Sequence, residues 1–176
     1  MRGRVALYLL PLAGQALAAP SAVRRASCTE LSTTSPNWKL TNAASSDWPG
    51  GQSGRVELFA RHVPTTTLAA CDVEYRLSAD GKIVDYDPTS THACMNFGAS
   101  PLNTTVQLDM ETLVLNIQST WTCEGEEDDT TYSASGSTEL KRDTSPGACL
   151  VEPSQLGNST TCPIANVEIQ GKLAEA

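Results

Sequence analysis

Apolar and polar residues alternate strictly along much of this chain. In GRVELFARHV (54–63), Val56, Leu58 and Ala60 fall on one side and Glu57 and Arg61 on the other, with only Phe59 out of step. LAACDVEYRL (68–77) repeats the rule, placing Cys71, Val73, Tyr75 and Leu77 opposite Asp72, Glu74 and Arg76. A period of two puts successive side chains on opposite faces of an extended chain, so each stretch predicts a half-buried strand. NWKLTNA (37–43) places Trp38 and Leu40 on one face, and TTVQLDM (104–110) does the same for Val106, Leu108 and Met110. TLVLNIQSTW (112–121), TYSASGSTEL (131–140) and PIANVEIQGKL (163–173) complete the series. Asp80-Gly81 marks a hairpin turn before Ile83 and Val84. Helix signals are nearly absent.

Eight or more short strands with turn-rich links call for closure into a barrel or sandwich. The expectation is an all-β, single-domain antiparallel β-barrel of about eight to eleven short strands, stapled by disulfides. There is no internal repeat.

The N-terminus sets the compartment. Arg2 and Arg4 precede an apolar stretch that ends in Ala16-Leu17-Ala18, so residues 1–18 read as a secretory signal peptide. Residues 19–25 form a short segment in which Arg24-Arg25 offers a dibasic processing site, and the domain proper occupies 26–176. No later stretch is long and apolar enough to span a membrane, which places the product outside the cell. The twelve basic residues lose two with the leader, leaving ten against twenty acidic ones and a net charge near −10. Such a charge speaks against nucleic acid and anionic membrane as partners.

Six cysteines in an exported chain are expected to pair. Short closures favour Cys71 with Cys94 and Cys149 with Cys162. Cys28 and Cys123 remain, joined across the domain or available to a second chain.

Candidate chemistry is sparse. The acidic run from Glu124 to Asp129, interrupted only by Gly125, lies between two alternating stretches. It lacks the spacing of a calcium loop and reads as a solvated hairpin tip. His62 and His92 belong to no metal-ligand motif and no catalytic frame, and as lone histidines at strand ends they read as surface groups. Asp72 with Glu74, and Asp109 with Glu111, read as outward faces of strands. No catalytic residue, cofactor or metal is expected from these residues. Trp48, beside Pro49-Gly50-Gly51, is the best exposed aromatic for binding, whereas Tyr75 and Trp121 follow the inward period. Asn103 and Asn158 head glycosylation sequons.

The order of strands and cysteines resembles that of the major allergen of the mould Alternaria and its relatives, small secreted fungal proteins that include elicitors of plant defence. The resemblance is carried by ASC (26–28) ahead of WKL (38–40), GRVELFA leading into CDVEYRL, Cys94, TLVLNIQ leading to TYSASGSTEL, and Cys149 and Cys162 before ANVEIQGKL. It implies a compact β-barrel without enzyme chemistry and binding of a host defence protein or a small phenolic ligand. It also implies intrachain bridges at Cys71–Cys94 and Cys149–Cys162. The family's early cysteine, matching Cys28, joins two subunits; here the additional Cys123 offers it an internal partner, so monomer and covalent dimer both stay open. An extracellular cell-wall or matrix structural protein is the alternative function, followed by a small secreted hydrolase.

Overall fold

The computed structural model describes residues 26–124 and 129–174. The leader, the 19–25 segment with its dibasic pair, and residues 125–128 of the acidic run lie outside the described residues.

Two antiparallel sheets make the fold. The larger contains β1 (Trp38–Trp48), β2 (Ser53–His62), β3 (Leu68–Leu77), β4 (Ile83–Val84), β6 (Met95–Phe97), β10 (Leu150–Ser154), β11 (Gly157–Ile164) and β12 (Val167–Ile169). The smaller contains β5 (His92–Ala93), β7 (Leu102–Leu108), β8 (Val114–Cys123), β9 (Thr130–Glu139) and β13 (Lys172–Leu173). Two segments change sheet. β5 pairs with β7 and, one residue later, β6 pairs with β3. β12 pairs with β1, and β13 then pairs with β9. These corner segments carry the chain between the sheets on both sides of the smaller one, so the architecture is barrel-like, while β10 and β4 remain the terminal strands of the larger sheet.

The alternation read from the sequence is the alternation of burial. Val56, Leu58, Ala60, Cys71, Val73, Tyr75 and Leu77 face the core from β2 and β3; Leu108, Leu115, Ile117 and Trp121 meet them from the smaller sheet. Asp80-Gly81 lies in the β3–β4 turn, where Gly81 takes the left-handed conformation the turn requires. Asp109 and Glu111 correct the reading of a paired strand face: they lie in the β7–β8 turn, where the Asp109 carboxylate accepts from the backbone N–H groups of Glu111 and Thr112. Glu124 and Asp129 flank the point where Cys123 pairs with Thr130 across the β8–β9 hairpin.

One helix escaped the periodicity argument, α1 (Cys28–Thr34). Its signal is Ser27-Cys28-Thr29-Glu30, a serine followed three residues later by glutamate: the Ser27 side chain accepts from the Glu30 backbone N–H and so caps the first turn. Ser32 is the buried residue of this short helix.

Disulfides join Cys71–Cys94, Cys149–Cys162 and Cys28–Cys123. The first reaches from β3 to the corner between β5 and β6; the second holds the start of β10 to β11. The third ties α1 to the end of β8 and closes a separation of 95 residues. A closure that long restricts the unfolded chain by roughly 4 to 5 kcal/mol in the chain-entropy account.

Candidate functional site

A concavity with a volume of about 840 Å³ lies on the outer face of the larger sheet. The strand register assembles it. One row of outward side chains reads Thr161, Ser46, Arg55 and Glu74 across β11, β1, β2 and β3. The next holds Trp48, Ser53 and Arg76, and β10 contributes Glu152 and Ser154 from the far side. Ser46 and Thr161 share a hydrogen bond of 2.9 Å, and Arg55 pairs with Glu57 at 3.2 Å.

Trp48 is half-buried and lines this groove, and two contacts hold its ring there. Its indole Nε1–H donates to Ser154 Oγ at 3.2 Å, and Ser154 Oγ in turn donates to the Gly157 carbonyl at 2.6 Å. The ring lies against Gly51, where a Cβ would come within 2.1 Å of Trp48 Cε3. At Gly50 a Cβ would fall 1.3 Å from the Leu156 carbonyl oxygen, so this glycine admits the backbone of the β10–β11 turn. Pro49-Gly50-Gly51 thus brings the β10–β11 hairpin up to the tryptophan. Restricting the ring before a ligand arrives reduces the entropy lost on binding.

Behind the groove, Tyr75 donates its hydroxyl to Asp47 at 2.5 Å, and Arg142 approaches the same carboxylate at 3.7 Å. Burial, followed by the hydrogen bond and charge of Asp47, pushes the Tyr75 phenol well above its usual range. It stays neutral and holds β1 to β3.

His62 corrects the expectation of a surface group. It is fully buried, at 0 % exposure, with its ring centroid 4.3 Å from that of Trp121 and 5.9 Å from that of Trp38. Nδ1 shares a 2.9 Å hydrogen bond with Thr65 Oγ1, and burial lowers its pKa from 6.5 to about 4. Its side-chain partner is a hydroxyl rather than a carboxylate. Buried hydroxyls complete this end of the core: Trp38 Nε1–H donates to Ser119, Ser119 shares a bond with Thr104, and Trp121 Nε1–H donates to Ser32. His92 is partly buried on β5 of the smaller sheet, whereas His62 ends β2 of the larger one. Among the described residues, no three His, Cys, Asp or Glu side chains converge in a metal-binding arrangement. No helix among them is long and apolar enough to cross a membrane.

Asn103 is exposed on β7 and Asn158 is exposed at the β10–β11 turn, next to the groove residue Ser159. The structure therefore places Trp48 and Asn158 in one region and Asn103 on the other sheet. The sequence did not single out Ser46, Ser53, Arg55, Arg76, Glu152, Ser154 or Thr161. Each is an ordinary outward residue of its own strand and becomes part of a site only through register.

Comparison with protein-family models, with curated proteins and with solved structures finds no match to this chain.

Proposed function

We propose that this is an exported, non-enzymatic binding protein of effector or allergen-like type, and that the groove around Trp48 receives a small phenolic ligand. The observation that carries the reading is an immobilised indole set in an open concavity rimmed by hydroxyls and by charges of both signs. A phenolic ring offset-stacked on or meeting the edge of Trp48 gains about 0.5 to 1.5 kcal/mol beyond area burial. Its hydroxyls find acceptors on Glu74 and Glu152 and donors on Arg55 and Arg76. Three disulfides support export, because they persist in oxidising compartments. Both exposed sequon asparagines are then available for glycosylation. The order of strands and cysteines supports the resemblance to the Alternaria allergen family, whose host protein partners extend the same reading.

The test is titration of the secreted protein with a hydroxycinnamate, followed by isothermal calorimetry and by amide chemical shifts. Saturable binding that shifts residues 46–55 and 152–161, and weakens at least tenfold in Trp48→Ala, is expected. Absence of binding, or binding indifferent to Trp48→Ala, rejects the groove as the phenolic site.

A further inference from the structure

The same outer face carries a second feature of different chemistry. Beyond the row formed by Ala44, Glu57 and Asp72, the outward positions turn apolar and basic. One row reads Lys39, Arg61, Leu68 and Phe97 across β1, β2, β3 and β6. Its neighbour reads Phe59, Ala70 and Met95. Met95 and Phe97 are 66 % and 51 % exposed, which is unusual for large apolar residues standing side by side on a sheet. A groove of about 360 Å³ is lined by Lys39, Thr41, Phe59, Arg61 and Leu68 among others, so its basic and apolar residues share one concavity beside Met95 and Phe97. The Arg61 guanidinium lies in no ion pair among the described residues, and Lys39 meets Glu168 only at 4.0 Å. Two weakly compensated cations therefore border an apolar patch on a chain of net charge −8.

We propose that this surface docks a protein segment in which an aromatic or aliphatic anchor stands beside one or two carboxylates. Charge complementarity selects that occupant. A carboxylate opposite Arg61 completes a fork-shaped pairing that the described residues leave unmade. The anchor covers Phe59, Leu68, Met95 and Phe97, and phenylalanine and methionine are favoured at the centres of protein interfaces. The chain's overall negative charge disfavours an anionic bilayer, and a small free carboxylate at Arg61 would leave Met95 and Phe97 uncovered. The surface is separate from the Trp48 groove and does not rest on the reading given for it.

The experiment titrates labelled protein with a synthetic peptide, acetyl-Asp-Phe-Glu-Leu-Asp-amide, and with its analogue in which lysine replaces each acid. Expected are amide shifts confined to the ends of β1, β2, β3 and β6, a dissociation constant raised at least tenfold by Arg61→Glu, and no response to the lysine peptide. Met95→Ser with Phe97→Ser should abolish binding, while Trp48→Ala leaves it unchanged, so failure here is distinguishable from failure at the groove. Both altered sites are exposed, and an unchanged melting temperature checks their folding. No binding of the acidic peptide, or equal binding of both peptides, overturns the proposal. Patch-dependent self-association in sedimentation, or patch-dependent flotation with phosphatidylserine vesicles, assigns the surface to another occupant and overturns it as well.

Discussion

Trp38 and Trp48 begin and end the same strand, ten residues apart, yet one is fully buried and the other lines an open groove. An even spacing on a regular strand puts both on one face. The strand is not regular. Thr41 lies opposite Phe59 while Ala44 lies opposite Glu57, so β1 carries one more residue than β2 across this interval. Asn42 absorbs the excess in the left-handed region, at φ 51°. This bulge reverses the phase of everything after it: Trp38, Leu40, Ala43 and Ser45 face the core, whereas Ser46 and Trp48 face solvent. One inserted residue turns an inward tryptophan position into an outward one. The two ends of β1 accordingly do different work. The Trp38 end is held by His62, Trp121, α1 and a cross-domain disulfide; the Trp48 end presents side chains outward.

Truncation should separate the two ends most sharply. Trp38→Ala is expected to cost about 3 to 5 kcal/mol, since it leaves a cavity beside His62 and removes a partner of Ser119. Trp48→Ala should cost less than about 1 kcal/mol. Denaturant unfolding of the two variants measures the contrast, and similar losses would remove the distinction between a structural and a presenting end.

Acid should weaken the Trp38 end selectively. The folded pKa of His62, about 4, lies below its ordinary 6.5, so between those values the unfolded chain binds more protons than the folded one. Stability from this group is complete above pH 6.5, falls as pH drops toward 4, and changes no further below that. The loss amounts to about 3 kcal/mol. Melting temperatures measured from pH 7.5 to pH 4 should decline in the parent, and more shallowly in His62→Phe when each is compared with its own value at pH 7.5. Equal slopes would show that other groups govern the acid response.

The smallest effect tests the bulge itself. Asparagine tolerates the left-handed conformation, whereas a β-branched side chain at Asn42 should cost about 1 to 2 kcal/mol. Asn42→Gly should be close to neutral. A chemical-denaturation series over Asn, Gly and Val at this position decides the point, and an undisturbed Val variant would mean that the bulge relocates freely.

The reach of the sequence follows from these particulars. Alternation in 54–63 and 68–77 identified strands and their inward faces, because a half-buried strand must place apolar groups every second residue. The turn at Asp80-Gly81 was legible for a similar reason: the backbone there needs a residue that accepts positive φ. Helix α1 was written in Ser27 and Glu30 but is too short for a periodic stripe. His62 looked like the polar end of a strand; only the approach of Trp121 from the other sheet encloses it. Phe59, the one apolar residue out of step in its strand, was a legible trace of the second surface.

Strand identity and inward faces are local properties, and the sequence by itself determined them through period and turn chemistry, while loop length favoured the two short disulfide closures without choosing them. The groove, the apolar and basic rows beside it, and the outward turn of Trp48 depend on which residues stand opposite one another across six strands. Register is the sum of pairing, bulges and corner crossings over the whole sheet. A displacement of one residue exchanges the two faces, so the tertiary structure alone decided which side chains meet.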